Sequence, residues 1–95
     1  MHMEIKVFPG TTGQGGRLAA RRREFEPLLR EVPTLRNFWL AETREGVAVV
    51  VVAREPEAIA EAFRRLAGWI TRTLPDLEWR GAFTLAGAVI ADDAD

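Results

Sequence analysis

Few side chains in this 95-residue sequence can do chemistry, because it holds no cysteine, no tyrosine and a single histidine, His2. The missing cysteines rule out disulfides, thiol catalysis and thiolate-held metals. A lone histidine cannot make a histidine pair and the carboxylates are scattered, so no metal site is expected. What remains is Asn37, the one asparagine, with Trp39 two residues on. In a strand these two share a face. Trp69 falls in a helical pattern beside the apolar stripe of Phe63, Leu66 and Ile70. Asn37, Trp39 and Trp69 could surround one pocket, with Phe63 nearby. Glu42, Glu45 and Glu78 are the remaining general bases, and none shows a sign of burial. Each residue also has a plainer reading. Trp69 packs under its helix, Trp39 belongs to the core or to a dimer interface, and Asn37 sits at a strand edge.

Two motifs suggest anion binding and fit it poorly. The run from Gly10 to Gly16 follows a strand and opens a helix, which is where a phosphate cradle would lie. It matches neither G-x-G-x-x-G nor the Lys-Ser/Thr of a P-loop, so a flexible connection is expected. Arg21-Arg22-Arg23 is basic and with Arg17 and Arg30 could meet an anion or an RNA backbone, but consecutive helical residues lie about 100° apart, so the three do not form one patch. With Glu24 and Glu26 following at once, a solvated helix face is expected.

The elements that would position these residues can be read from periodicity. Met3 to Phe8 reads as a first strand. Arg17 to Glu26 reads as a helix, and Pro27 should kink or restart it, giving a short piece to Glu31. Pro33-Thr34 is a turn. Leu35 to Thr43 is a second strand, Arg44-Glu45-Gly46 a hairpin turn, and Gly46 to Ala53 a third strand. Glu55-Pro56-Glu57 opens a helix, with proline in its first turn and acids at the positive end of its dipole. That helix runs to about Leu74, with Ile59, Ala62, Phe63, Leu66 and Ile70 on one stripe. Ala82 to Ala91 is a fourth strand, and Asp92, Asp93 and Asp95 form an acidic tail expected to be disordered. The order β-α-β-β-α-β predicts one ferredoxin-like α+β domain over residues 1–95, with two helices on one face of an antiparallel sheet.

The third strand carries the prediction about assembly. Val47, Val49 and Val51 point to one face, and Ala48, Val50 and Val52 to the other. Both faces should therefore be dry. Two helices cover one, and a second copy of the chain is expected to cover the other. A chain this short gains from such burial.

A net charge of −1 argues against a nucleic-acid or anionic-membrane binder. No apolar run nears about 18 residues and there is no signal-peptide pattern, so a cytoplasmic protein is expected. Met1-His2 ahead of Met3 reads equally as a cloning remnant or a native start.

Pro27-Leu-Leu-Arg-Glu-Val-Pro33 followed by Asn37-Phe-Trp-Leu40 resembles antibiotic-biosynthesis-monooxygenase-like proteins at the start of their second strand. The Gly46-Val47 hairpin, the helix end Leu66-Ala-Gly-Trp69-Ile70 and the last-strand segment Ala86-Gly-Ala-Val-Ile90 extend the likeness over roughly residues 24 to 91. The Gly10–Gly16 loop has no counterpart in it. The resemblance implies a dimeric α+β barrel with a pocket between sheet and helices in each subunit. It also implies either haem degradation or cofactor-free oxygenation of aromatic substrates. Haem degraders need a histidine on the second helix, and residues 56 to 74 contain none. Cofactor-free oxygenases use an asparagine and a tryptophan beside an aromatic substrate. The asparagine polarises a substrate oxygen in an apolar slot where a carbanion meets oxygen. Asn37 and Trp69 are the catalytic candidates on that footing, with Trp39, Trp69 and Phe63 lining the slot and no cofactor expected. The alternative is a structural or regulatory homodimer without ligand chemistry.

Overall fold

The computed structural model describes residues 1–79 and 81–91 of the chain. The acidic tail predicted at its end lies outside the described residues. Strand β1 is His2–Phe8, β2 Leu35–Thr43, β3 Gly46–Ala53 and β4 Phe83–Ala88. They form one antiparallel sheet in the order β2-β3-β1-β4. Helices α1 (Gly15–Ala19), α2 (Arg22–Arg30) and α3 (Pro56–Thr73) complete the fold. This is the ferredoxin-like α+β arrangement that the sequence predicts.

Valine gives β3 its place next to the centre, because β-branched side chains pack well on a pleated surface. Val47, Val49, Val51 and Ala53 face the helices and are buried with Leu29, Ile59, Ala62, Phe63, Leu66 and Ile70. Helix α3 starts as expected, with Pro56 in its first turn and Glu57 beside the positive end. The Arg44–Gly46 hairpin closes with Gly46 at φ 129°, and a Cβ there would overlap the carbonyl oxygen of Phe8. Glycine is thus required for β3 to start flush against the end of β1.

The first helix differs from the expectation. The break falls at Ala20-Arg21, where Arg21 leaves helical dihedrals (φ −116°, ψ 20°), and Pro27 lies inside α2. Pro27 is exposed, as is Arg23, whose carbonyl loses its partner, so water can satisfy that carbonyl. The Gly10–Gly16 connection is also more ordered than expected. Pro9–Thr11 is a 3-10 turn whose Thr11 is fully buried. The Thr11 hydroxyl donates to Phe8 O at 2.6 Å and accepts from Val47 N–H at 2.8 Å, pinning the loop between β1 and β3. Thr11→Val should leave that N–H unpaired in the core. A loss of about 1–3 kcal/mol is expected in urea unfolding; an unchanged midpoint would remove the pin.

Among the described residues, no helix covers the other sheet face, the bare face. It carries Met3, Ile5 and Val7 from β1, Ala48, Val50 and Val52 from β3, Asn37, Trp39 and Ala41 from β2, and Phe83 and Leu85 from β4. None of these is charged. Trp39 is 50% exposed, Phe83 61% and Leu85 67%. Among the described residues, no helix is long and apolar enough to cross a membrane.

Candidate functional site

A cleft of about 520 Å³ opens between α1, α2 and the edge strand β2. Its apolar lining is Leu18 of α1, Phe25 of α2, Phe38 and Leu40 of β2 and Val47 of β3. Arg22 and Arg30 of α2 line it too, as do Asn37, Trp39 and Glu42 of β2. That volume suits a small organic molecule, and a mostly apolar lining with few polar groups is the usual composition of such sites.

The sequence explains why a gap exists there. Beyond the β2 bulge between Leu35 and Asn37, Phe38 and Leu40 turn toward the helices while Asn37 and Trp39 turn toward the bare face. Helix α1 has only five residues. Glu42 fixes its start by accepting the Gly15 N–H at 3.0 Å, and Gly15 lets the carboxylate come this close. At the other side, Arg17 donates two hydrogen bonds to Asp76, at 2.8 and 2.9 Å. The hydrogen bond from Arg17 holds the Asp76 carboxyl below its usual range. This tie is therefore present at neutral pH and is lost only as pH falls through that lowered value.

Asn37 and Trp39 lie at the outer margin of the cleft. Both also line a smaller hollow of about 180 Å³ on the bare face, with Met3 and Val52. The Asn37 Oδ1 accepts the Phe38 N–H at 2.9 Å. Trp69 is 5% exposed and does not line the cleft. Its ring packs at 5.1 Å from that of Phe25, which does line it, so Trp69 backs the wall. Phe63 does not line the cleft either; it lies in the core, with the Lys6 ammonium 5.1 Å from its ring. The structure thus joins two of the four aromatic and amide candidates at the cleft and leaves two in the core.

Sequence reasoning missed Phe25, Phe38 and Leu18, and it read Arg22 and Arg30, weighed as anion-binding groups, as a solvated helix face. The alternation of β2 marks Phe38 and Leu40 as facing the helices; nothing local shows that α1 stops short and leaves them partly open. The arginine run diverges as its angular spread requires. Arg21 lies over Trp69 at 5.9 Å and pairs with Glu24, Arg22 reaches the cleft, and Arg23 is exposed.

No family model and no curated protein matches the sequence. Solved structures do match. The haem degrader MhuD from Mycobacterium tuberculosis, with two haems in its active site, superposes with a TM-score of 0.68 at 21% identity over 97% of this chain and 98% of that one. A monooxygenase from the gene ActVA-Orf6 of Streptomyces coelicolor, in complex with nanaomycin D, gives 0.62 at 16% identity over 96% and 92%. SnoaB, a cofactor-independent oxygenase from Streptomyces nogalater, gives 0.60 at 11% over 99% and 97%. The fold is that of antibiotic-biosynthesis-monooxygenase-like proteins. At these identities the likeness establishes the fold alone.

Haem does not suit the residues present. The cleft lining holds no histidine, cysteine, methionine or tyrosine to ligate iron. His2 pairs with Ala53 at the end of the sheet opposite Val47, about 20 Å along β3 at the usual rise per residue.

Proposed function

We propose that this protein is a homodimer that binds a small apolar or aromatic molecule in the cleft between α1, α2 and β2. The observation that carries this reading is the cleft itself, open and lined by Phe25, Phe38 and Leu40. A core built only for stability would bring α1 and α2 down onto β2. The largely apolar bare face supports the homodimer. Exposed apolar patches of this kind mark interaction sites, and two such sheets packed face to face would bury both. The oxygenases of the same fold support a cofactor-free oxygenation as the chemistry of the site. In that reading Asn37 and Trp39 border the outer margin of the cleft, on the strand edge that turns to the other face of the sheet. Trp69 supports Phe25 from behind rather than touching the ligand, and Phe63 belongs to the core beneath.

Calorimetric titration with 2-naphthamide, a neutral fused-ring probe, tests the binding reading. One molecule per chain is expected. Ala19→Trp places a large ring at an exposed position that lines the cleft and should weaken binding at least about tenfold. No heat of binding, or equal affinity in the variant, would favour a structural or regulatory homodimer without ligand chemistry.

A further inference from the structure

Resting on the reading of the cleft as a ligand site, we propose that its ligand is an aromatic acid and that Arg30 recognises the acid group. Helix α2 places two guanidinium groups on the cleft, Arg22 and Arg30. Glu26 stands four residues from each and pairs with both. Its pair with Arg22 is close, whereas Arg30 Nε lies 3.9 Å from Glu26 Oε1. One carboxylate shared between two guanidiniums leaves positive charge on this lip. Glu26 does not line the cleft; Glu42, which does, sits on β2 and accepts the Gly15 N–H.

Arg30 has the geometry for recognition. The carbon at the centre of its guanidinium lies 4.9 Å from the Phe38 ring centroid. A guanidinium held against a ring keeps N–H donors for a carboxylate, which they fit as a two-pronged fork. Phe38 also lines the cleft. A ligand ring lying against Phe38 and Phe25 would therefore carry its acid group to the edge of Arg30. An apolar body with an acid at one end satisfies both halves of the lining, whereas a neutral hydrocarbon satisfies only one.

The experiment compares 2-naphthoate with 2-naphthamide, which share a ring system and differ in charge, by calorimetry on the wild-type protein, Arg30→Gln and Ala19→Trp. Wild type should prefer the carboxylate by about tenfold. Arg30→Gln should abolish that preference, so that the two probes bind the variant with equal affinity. Arg30 is exposed, so the substitution should be tolerated; should it unfold the protein, the wild-type preference alone decides. Equal affinity of wild type for the two probes overturns the acid assignment and leaves the cleft as a ligand site. A preference that survives Arg30→Gln likewise overturns the role of Arg30. Failure of both probes to bind, or binding that Ala19→Trp does not touch, overturns the ligand cleft and this assignment with it.

Discussion

Leu85→Asp should turn a dimer into a folded monomer. Leu85 is 67% exposed on the single chain and pairs with Ile5 on edge strand β4. A charge there meets water in the monomer and should cost the fold little. In a face-to-face dimer the same carboxylate would be buried against a largely apolar surface, where Arg36 is the one charged residue among those described that line its hollow. An unpaired buried charge costs several kcal/mol unless it takes up a proton. At 1.4 kcal/mol per tenfold, about 3 kcal/mol already weakens association more than about a hundredfold. Sedimentation velocity should show the wild type as a dimer and Leu85→Asp as a monomer, with the same far-ultraviolet circular dichroism. Val50→Asp is the harsher companion, because Val50 lies half-buried on β3; it should block assembly or folding altogether. A Leu85→Asp protein that remains dimeric would show that the bare face does not form the interface.

Gly46→Ala should be the most damaging single-methyl change. Its φ of 129° lies where residues with a side chain are strained, at about 1–3 kcal/mol. The added Cβ would also overlap the Phe8 carbonyl, and β1 cannot retreat without losing its pairing with β3 from Phe8 to His2. Together these should cost about 3 kcal/mol or more, a large share of the roughly 5–15 kcal/mol that holds a small domain together. In a chain of this size each kcal/mol moves the melting temperature by about 4–8 °C. Thermal unfolding should therefore drop by at least about 12 °C. A shift of only a few degrees would mean that the hairpin can relax, and that β2, with its half of the cleft, is not fixed by Gly46.

The elements that obey local rules were legible. Strands β2 and β3 run over the residues that alternation and the glycine turn predict, and α3 starts at its proline. The apolar character of the outer side of β3 could be read from Ala48, Val50 and Val52 alone. Strand β4 is shorter than expected, Phe83–Ala88 against Ala82–Ala91, because β1 offers partners only from Val7 back to His2. The break between α1 and α2 could not be read. Ala20 and Arg21 favour helix, and the interruption coincides with long-range ties: Thr11 to Val47, Glu42 to Gly15 and Arg17 to Asp76.

The same ties hide the cleft from the sequence. Arg22 and Arg30 read as solvent-facing charges until α2 is docked beside β2, and Phe38 reads as core until α1 is seen to stop short of it. Asn37 and Trp39 could be found because they share one strand and one face. Trp69 misled for a related reason: its helical stripe shows that it faces the sheet, but not that Phe25 stands between it and the cleft.

A crystal structure of the protein with 2-naphthoate bound tests the account most directly. The predicted result is two chains joined through the bare faces of their sheets, each with the naphthalene ring against Phe25 and Phe38 and the carboxylate on Arg30. A ring seated instead in the hollow beside Met3 and Val52, with the bare face open to solvent, would contradict both the assembly and the site.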